Sequence, residues 1–226
     1  MRNKVLQLEA LSPEGLENTI AGLAEKERVE NNFVTLSLSG PKVIVRQFEL
    51  PALHLRELKN SLQLEATELL SLPPEEFAFD YQILESSADK INGVFVALPR
   101  NILEQYYLKI TQAKMLLLSI TAEILVVIDA FLSRINSASS NFCLLNFATE
   151  NTVHLALFNA GRCEVLREIR YENISEAKQE ILNSLRYAIG KSSAKHPEEI
   201  YFSGAPIDKN ELIAGLENEF GAKGTA

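Results

Sequence analysis

The stretch FCLLNFATENTVHLALFNAGRCEVLREIR, residues 142–170, carries the reading on which the fold rests. It breaks into three β-runs, 142–147, 152–158 and 162–170, each the length of a strand and bounded by polar or small residues. Asn159-Ala160-Gly161 joins the last two as a tight turn, because asparagine and glycine accept the positive φ that such a turn demands. Residues 174–190 then repeat apolar side chains at helical spacing, and Asn173 with Glu176 suits a capping box for the first turn. A strand at 199–203 follows, and then a helix at 208–220 opened by Asp208 and Glu211 and closed by Gly221. The order is β-β-β-α-β-α. Three antiparallel strands are followed by a helix that must carry the chain across to a parallel strand.

Toward the N-terminus, Ser137–Asn141 (SASSN) is small and polar and marks a domain boundary. The first half opens with a helix expected at 13–28, with Ser12 as N-cap and Pro13 at its first position. Strands at 33–39 and 42–49, joined by Gly40-Pro41, read as a hairpin. Helix 54–70 carries Leu55, Leu58, Leu62, Ala66, Leu69 and Leu70 at helical spacing and stops before Pro73-Pro74. Strands at 77–84 and 93–98, a helix at 100–113, a strand at 115–120 and a helix at 122–136 complete it. The run from 42 to 120 is thus β-α-β-β-α-β, the pattern of a ferredoxin-like module. The β-β-β-α-β-α half matches one half of an actin-like, ribonuclease-H-like fold. The expected class is α/β, with an actin-like core truncated at its N-terminus and the ferredoxin-like module inserted. The expected divisions are 1–41 with 121–137 as a remnant of the first subdomain, 42–120 as the insert, and 138–226 as the second subdomain.

Composition narrows function by exclusion. A net charge of −8 opposes non-specific nucleic-acid binding, which needs a basic stripe. The longest apolar stretch, 120–132, contains Glu123 and Asp129 and is too short to span a bilayer. A soluble chain is expected, taken to any membrane by a partner. Cys143 and Cys163 lie in apolar runs and read as buried free thiols, and the three histidines are too scattered for a zinc site. No G-x-S-x-G, P-loop, H-E-x-x-H or C-x-x-C occurs. Glu75, Glu76 and Asp80 read as a solvated bend, and His154 as a lone strand histidine.

Two segments carry a family resemblance. From Val43 to Leu84 the chain runs from a strand to Leu50-Pro51, a helix with Glu65-Ala66, the bend Leu72-Pro73-Pro74, and Asp80-Tyr81-Gln82. Further on come Val96-Ala97-Leu98-Pro99, a helix, and Ala113-Lys114-Met115 where the family often has Ala-Gly-Leu. Together these resemble PilM, of type IV pilus assembly, and its reduced type II secretion relative, the cytoplasmic domain of GspL. The resemblance implies an actin-like domain on the inner-membrane platform, cytoplasmic and peripheral to the membrane through partners. It implies a PilN-like tail or the assembly ATPase as partner, since PilM grips a short cytoplasmic peptide of PilN and GspL docks the secretion ATPase; a homodimer is left open. The expected walls of a peptide groove are Val43, Val45, Leu55, Leu58 and Leu62.

An actin-like nucleotide site needs glycine-bearing turns whose backbone N–H groups reach the phosphates, with acidic residues holding Mg²⁺ through water. No glycine precedes Gly15, so the first turn has no counterpart. In the second, Asn146 and Ala148 stand where the family's Asp-x-Gly falls, followed by Thr149. The adenosine-side glycine pair is reduced to Ser203-Gly204-Ala205. Asn146, Ala148, Thr149, Ser203 and Gly204 therefore form a degenerate cofactor site. The expectation is a non-catalytic scaffold without catalytic residues, metal or bound ATP, the alternative being an active ATP-binding ATPase of pilus assembly.

Overall fold

The computed structural model describes residues 16–26, 33–40, 42–134, 141–149, 151–191, 196–204 and 210–225. Its second half is a five-stranded sheet of β6 (Phe142–Thr149), β7 (Thr152–Asn159), β8 (Arg162–Arg170), β9 (Glu199–Gly204) and β10 (Lys223–Thr225), in the order β10-β9-β6-β7-β8. β6, β7 and β8 are antiparallel neighbours, whereas β9 runs parallel to both β6 and β10. The Asn159-Ala160-Gly161 turn forms, but its left-handed positions are Ala160 and Gly161, at φ of 50° and 79°, and not Asn159. Helix α5 (Ile174–Lys191) is capped by Asn173, whose Oδ1 accepts from the Glu176 N–H at 3.0 Å. The Glu176 carboxylate reaches back to the Glu172 N–H at 2.7 Å, one residue before the cap position that a capping box would give it. Helix α6 (Asn210–Phe220) ends where Gly221 turns to φ 65°. The expected cap at Asp208, the boundary at 137–140 and the Ser12-Pro13 helix start lie outside the described residues.

In the first half, α1 (Leu16–Lys26) precedes β1 (Phe33–Leu38), then β2 (Ile44–Pro51), α2 (Leu55–Leu70), β3 (Phe77–Ser86), β4 (Lys90–Pro99), α3 (Arg100–Gln112), β5 (Leu116–Ala122) and α4 (Glu123–Leu132). The expected hairpin over 33–49 does not form. β1 pairs in parallel with β5, whereas β2 joins a separate sheet of order β2-β4-β3. The turn itself is present, with Gly40 at φ 128° and the Val43 N–H donating to the Gly40 carbonyl at 3.0 Å. It hands the chain from one sheet to another. The insert accordingly contributes three antiparallel strands in the order of a ferredoxin-like sheet, and its last strand, β5, belongs to the core beside β1.

Apolar burial divides along these sheets. One core lies between the five-stranded sheet and α5 and α6, around Leu145, Phe147, Leu155, Leu157, Ile181, Leu185 and Leu216. A second occupies the opposite face and is shared between the halves: Val43, Val45, Leu98, Ile124 and Ile128 meet Phe142, Leu144, Ala156 and Phe158. A third packs α2 on the far face of the three-stranded sheet, with Leu58, Leu62, Phe77 and Phe95. Cys143 is buried in the first core and Cys163 packs against the second; both are free thiols. Burial raises both, Cys163 to about 12, so neither is an active thiolate at neutral pH.

The shared core is reinforced by Gln47 of β2. Its Nε2 donates to the Cys163 carbonyl at 3.1 Å, and its Oε1 accepts from the Leu166 N–H at 2.6 Å. Both bonds satisfy main-chain groups of β8, an edge strand of the five-stranded sheet, so one side chain does what a neighbouring strand would do. At the exposed periphery the Arg162 guanidinium lies 3.4 Å from Glu85 of β3.

Candidate functional site

Two regions receive the residues singled out from the sequence. The first is an apolar cleft of about 140 Å³ between the inner face of the three-stranded sheet and the C-terminal ends of β1 and β5. Strand alternation builds it. Ala78 pairs with Leu98, Asp80 with Val96 and Val45 with Val96, so these side chains share one face. Leu38 of β1, Ile120 and Thr121 of β5, and Leu103 of α3 close the opposite side. Asp80 is the one charged residue lining it, and its carboxylate accepts from the Tyr81 N–H at 2.9 Å. Among the described residues β3 has a strand neighbour on one side only, and its Ala78, Phe79 and Asp80 line the cleft.

Of the expected peptide walls, Val43 lines this cleft, and Val45 is buried beside it in the shared core. Leu58 and Leu62 are fully buried on the other side of the sheet, and Leu55 is 66 % exposed away from it. Helix α2 is therefore no wall of the cleft. Its Glu57 carboxylate accepts from the His54 N–H at 3.2 Å and fixes its start, and its apolar stripe is spent on Phe77 and Phe95. The helical spacing marks the buried Leu58, Leu62 and Ala66, but Leu55 and Leu69 of the same series are exposed, and the spacing does not say which face of the sheet the stripe covers. Leu98, Leu103 and Ile120 escaped the sequence reading, because each is an ordinary core position of its own element.

The second region is a polar row across the five-stranded sheet. Ser203 lies beside Asn146, Asn146 beside His154, and His154 beside Glu168, each pair in register on adjacent strands. The Ser203 hydroxyl donates to Asn146 Oδ1 at 2.8 Å, and Asn146 Nδ2 donates to Glu123 at the start of α4 at 3.4 Å. Asn146 is 1 % exposed, so its amide is used within the fold. His154 is buried too, with Nε2 3.5 Å from Glu168, which also accepts from Arg170 at 2.8 Å. Burial works to raise the Glu168 carboxyl, but hydrogen bonds from His154 and Arg170 outweigh it and hold the group below its usual range. Thr149 bonds to Asn151 at 2.8 Å, and Ala148 is half-buried. Gly204 sits at φ 87° beside Phe147 of β6, where a Cβ would come 2.2 Å from the Phe147 carbonyl oxygen. The structure thus brings Asn146, Ser203 and Gly204 together at the ends of β6 and β9. There the Ser203 hydroxyl and the Asn146 amide are bonded to one another. Among the described residues, no group of three or more histidine, cysteine or acidic side chains is placed to hold a metal ion. Among the same residues, no helix is long and apolar enough to cross a membrane.

No family model matches the sequence, and no curated protein matches it significantly. Solved structures do. A chain of the PilM-PilN type IV pilus biogenesis complex aligns over 94 % of this chain and 74 % of its own, with a TM-score of 0.77 at 16 % identity. A Bacteroides thetaiotaomicron protein of actin-like ATPase fold aligns over 92 % of this chain and 75 % of its own, with a TM-score of 0.58 at 10 % identity. The cytoplasmic domain of EpsL, an inner-membrane component of the type II secretion system of Vibrio cholerae, aligns over 87 % of this chain and 69 % of its own, with a TM-score of 0.54 at 11 % identity. At these identities the likeness is one of fold: the chain has the actin-like architecture of these proteins.

Proposed function

We propose that this chain is a non-catalytic scaffold of a type IV pilus or type II secretion inner-membrane platform, and that its apolar cleft holds an extended segment from the cytoplasmic tail of a PilN-like membrane partner. The cleft carries the reading. It is apolar on both sides, is lined by a strand with one neighbour among the described residues, and belongs to a chain folded like one found in a PilM-PilN complex. An added strand would take affinity from main-chain pairing, and Leu98, Leu103 and Ile120 would set specificity through the apolar side chains they accept.

Calorimetric titration of a synthetic partner tail into the purified chain tests the reading. Saturable one-to-one binding is expected, weakened at least tenfold by Thr121→Arg, which would place a long charged side chain in the cleft. No binding by a folded sample, or equal binding by the variant, would sink it. The ATPase alternative rests on the fold alone. With Asn146 and Ser203 bonded to one another and Ala148 bearing a Cβ at the turn, Mg-ATP at high micromolar concentration is expected to give no heat. Clear stoichiometric ATP binding would replace the scaffold reading with an ATP-cycling one.

A further inference from the structure

We propose that the segment held in the apolar cleft carries one lysine or arginine seated against Asp80, with an apolar side chain two residues from it. This rests on the reading of the cleft as a peptide site and adds the chemistry of the occupant. Strand alternation places the groups. Ala78 and Asp80 of β3 lie opposite Leu98 and Val96 of β4 and share the face that lines the cleft. Phe79, between them, packs with Phe77 on the other face, the ring centroids 6.1 Å apart. It lines the cleft as well, so what β3 offers there at Phe79 is main chain. A strand laid along β3 would repeat the alternation: the side chains opposite Asp80 and Ala78 enter the cleft, and the one between them does not.

Local charge complementarity selects the occupant. The other residues lining the cleft are apolar apart from Thr121, so Asp80 is the group there that can choose among side chains by charge. Its Oδ1 accepts from the Tyr81 N–H at 2.9 Å, which holds the carboxylate close to the β3 main chain. An inward-facing charge on a strand of this kind rejects any added strand that leaves it unpaired. An apolar residue opposite Asp80 would strip water from the carboxylate and return nothing, and an acidic one would add repulsion. A lysine or arginine answers the charge, and its aliphatic stem lies along the apolar lining. The position opposite Ala78 lies beside Leu98 and takes an apolar side chain. The carboxylate thus discriminates against wrong segments, and the apolar lining supplies affinity.

Selection of a random peptide library, displayed on phage, against the full chain tests this. Selected peptides whose binding Thr121→Arg abolishes are the cleft-bound ones, and they are expected to share a lysine or arginine two positions from an aliphatic residue. Synthetic copies are then titrated into wild type and variants. Asp80→Asn keeps an acceptor for the Tyr81 N–H and removes the charge. It is expected to weaken binding of a basic peptide about tenfold and to lessen the salt dependence of binding. Asp80→Lys is expected to prefer copies in which glutamate replaces the basic residue. Should Asp80→Asn misfold, norleucine in place of the peptide's basic residue gives the same comparison on the wild type, with the same loss expected. Cleft-bound peptides without a basic residue, or ones that a folded Asp80→Asn binds as well as or better than wild type, would overturn the proposal and leave the cleft reading standing. If no selected peptide responds to Thr121→Arg, the cleft reading falls and this proposal with it.

Discussion

Gly204→Ala is expected to lower stability by about 3–5 kcal/mol. Two costs combine: a non-glycine residue held in the left-handed region costs roughly 1–3 kcal/mol, and forcing atoms into filled space costs about as much again. The filled space is specific. A Cβ on Gly204 would lie 2.2 Å from the carbonyl oxygen, 2.7 Å from the carbonyl carbon and 2.9 Å from the nitrogen of Phe147, all backbone atoms of a central strand that cannot swing aside. Urea unfolding gives the number directly. The neighbouring Ser203→Ala is expected to cost only about 1–2 kcal/mol, the loss of one hydrogen bond to a buried amide. If the alanine variant at 204 were as stable as wild type, glycine would be there for a ligand and not for the close approach of β6 and β9.

Phe142→Ala is expected to cost a similar amount, about 3–5 kcal/mol, the range for removing a fully buried aromatic. At roughly 2–4 °C per kcal/mol for a chain of this size, the midpoint should fall by about 6–20 °C. The ring of Phe142 stacks on Phe158 at 4.6 Å and meets Phe131 of α4 at 5.4 Å, so it ties the second half to the first. Because this core draws side chains from both halves, the variant should still unfold in one transition. Two separated transitions would show the halves to be independent units, contrary to the packing.

These expectations mark what was legible in the sequence. Four strands and both helices of the second half are legible from local signals, the alternation in 142–170, the Asn159-Ala160-Gly161 turn and the Asn173 cap, whereas the short β10, three residues without an apolar pattern, is not. The pairing of β1 was not legible. Gly40-Pro41 between two alternating runs is the local signature of a hairpin, but the choice of β5 as partner is made by residues some eighty positions away. The actin-like class survived that error, since the helices and strands kept their order. Of the residues expected to wall a peptide groove, Val43 lines the cleft, whereas Leu58 and Leu62 pack on the other face of the sheet, a choice of face that helical spacing alone does not reveal. Asn146 and Ser203 were recognised by type and spacing. That they bond to each other and to Glu123 depends on the register of β6 and β9 and on where α4 begins, neither of which the spacing of residues reveals.

The measurement that bears most directly on the scaffold reading is amide hydrogen exchange with and without the partner tail. Protection is expected at Ala78–Asp80 of β3 and at Ile120 and Thr121 of β5, where the cleft opens, with Asn146–Thr149 and Ser203-Gly204 unchanged. Protection confined to the ends of β6 and β9, with the cleft unaffected, would contradict the account and move the binding site to the polar row.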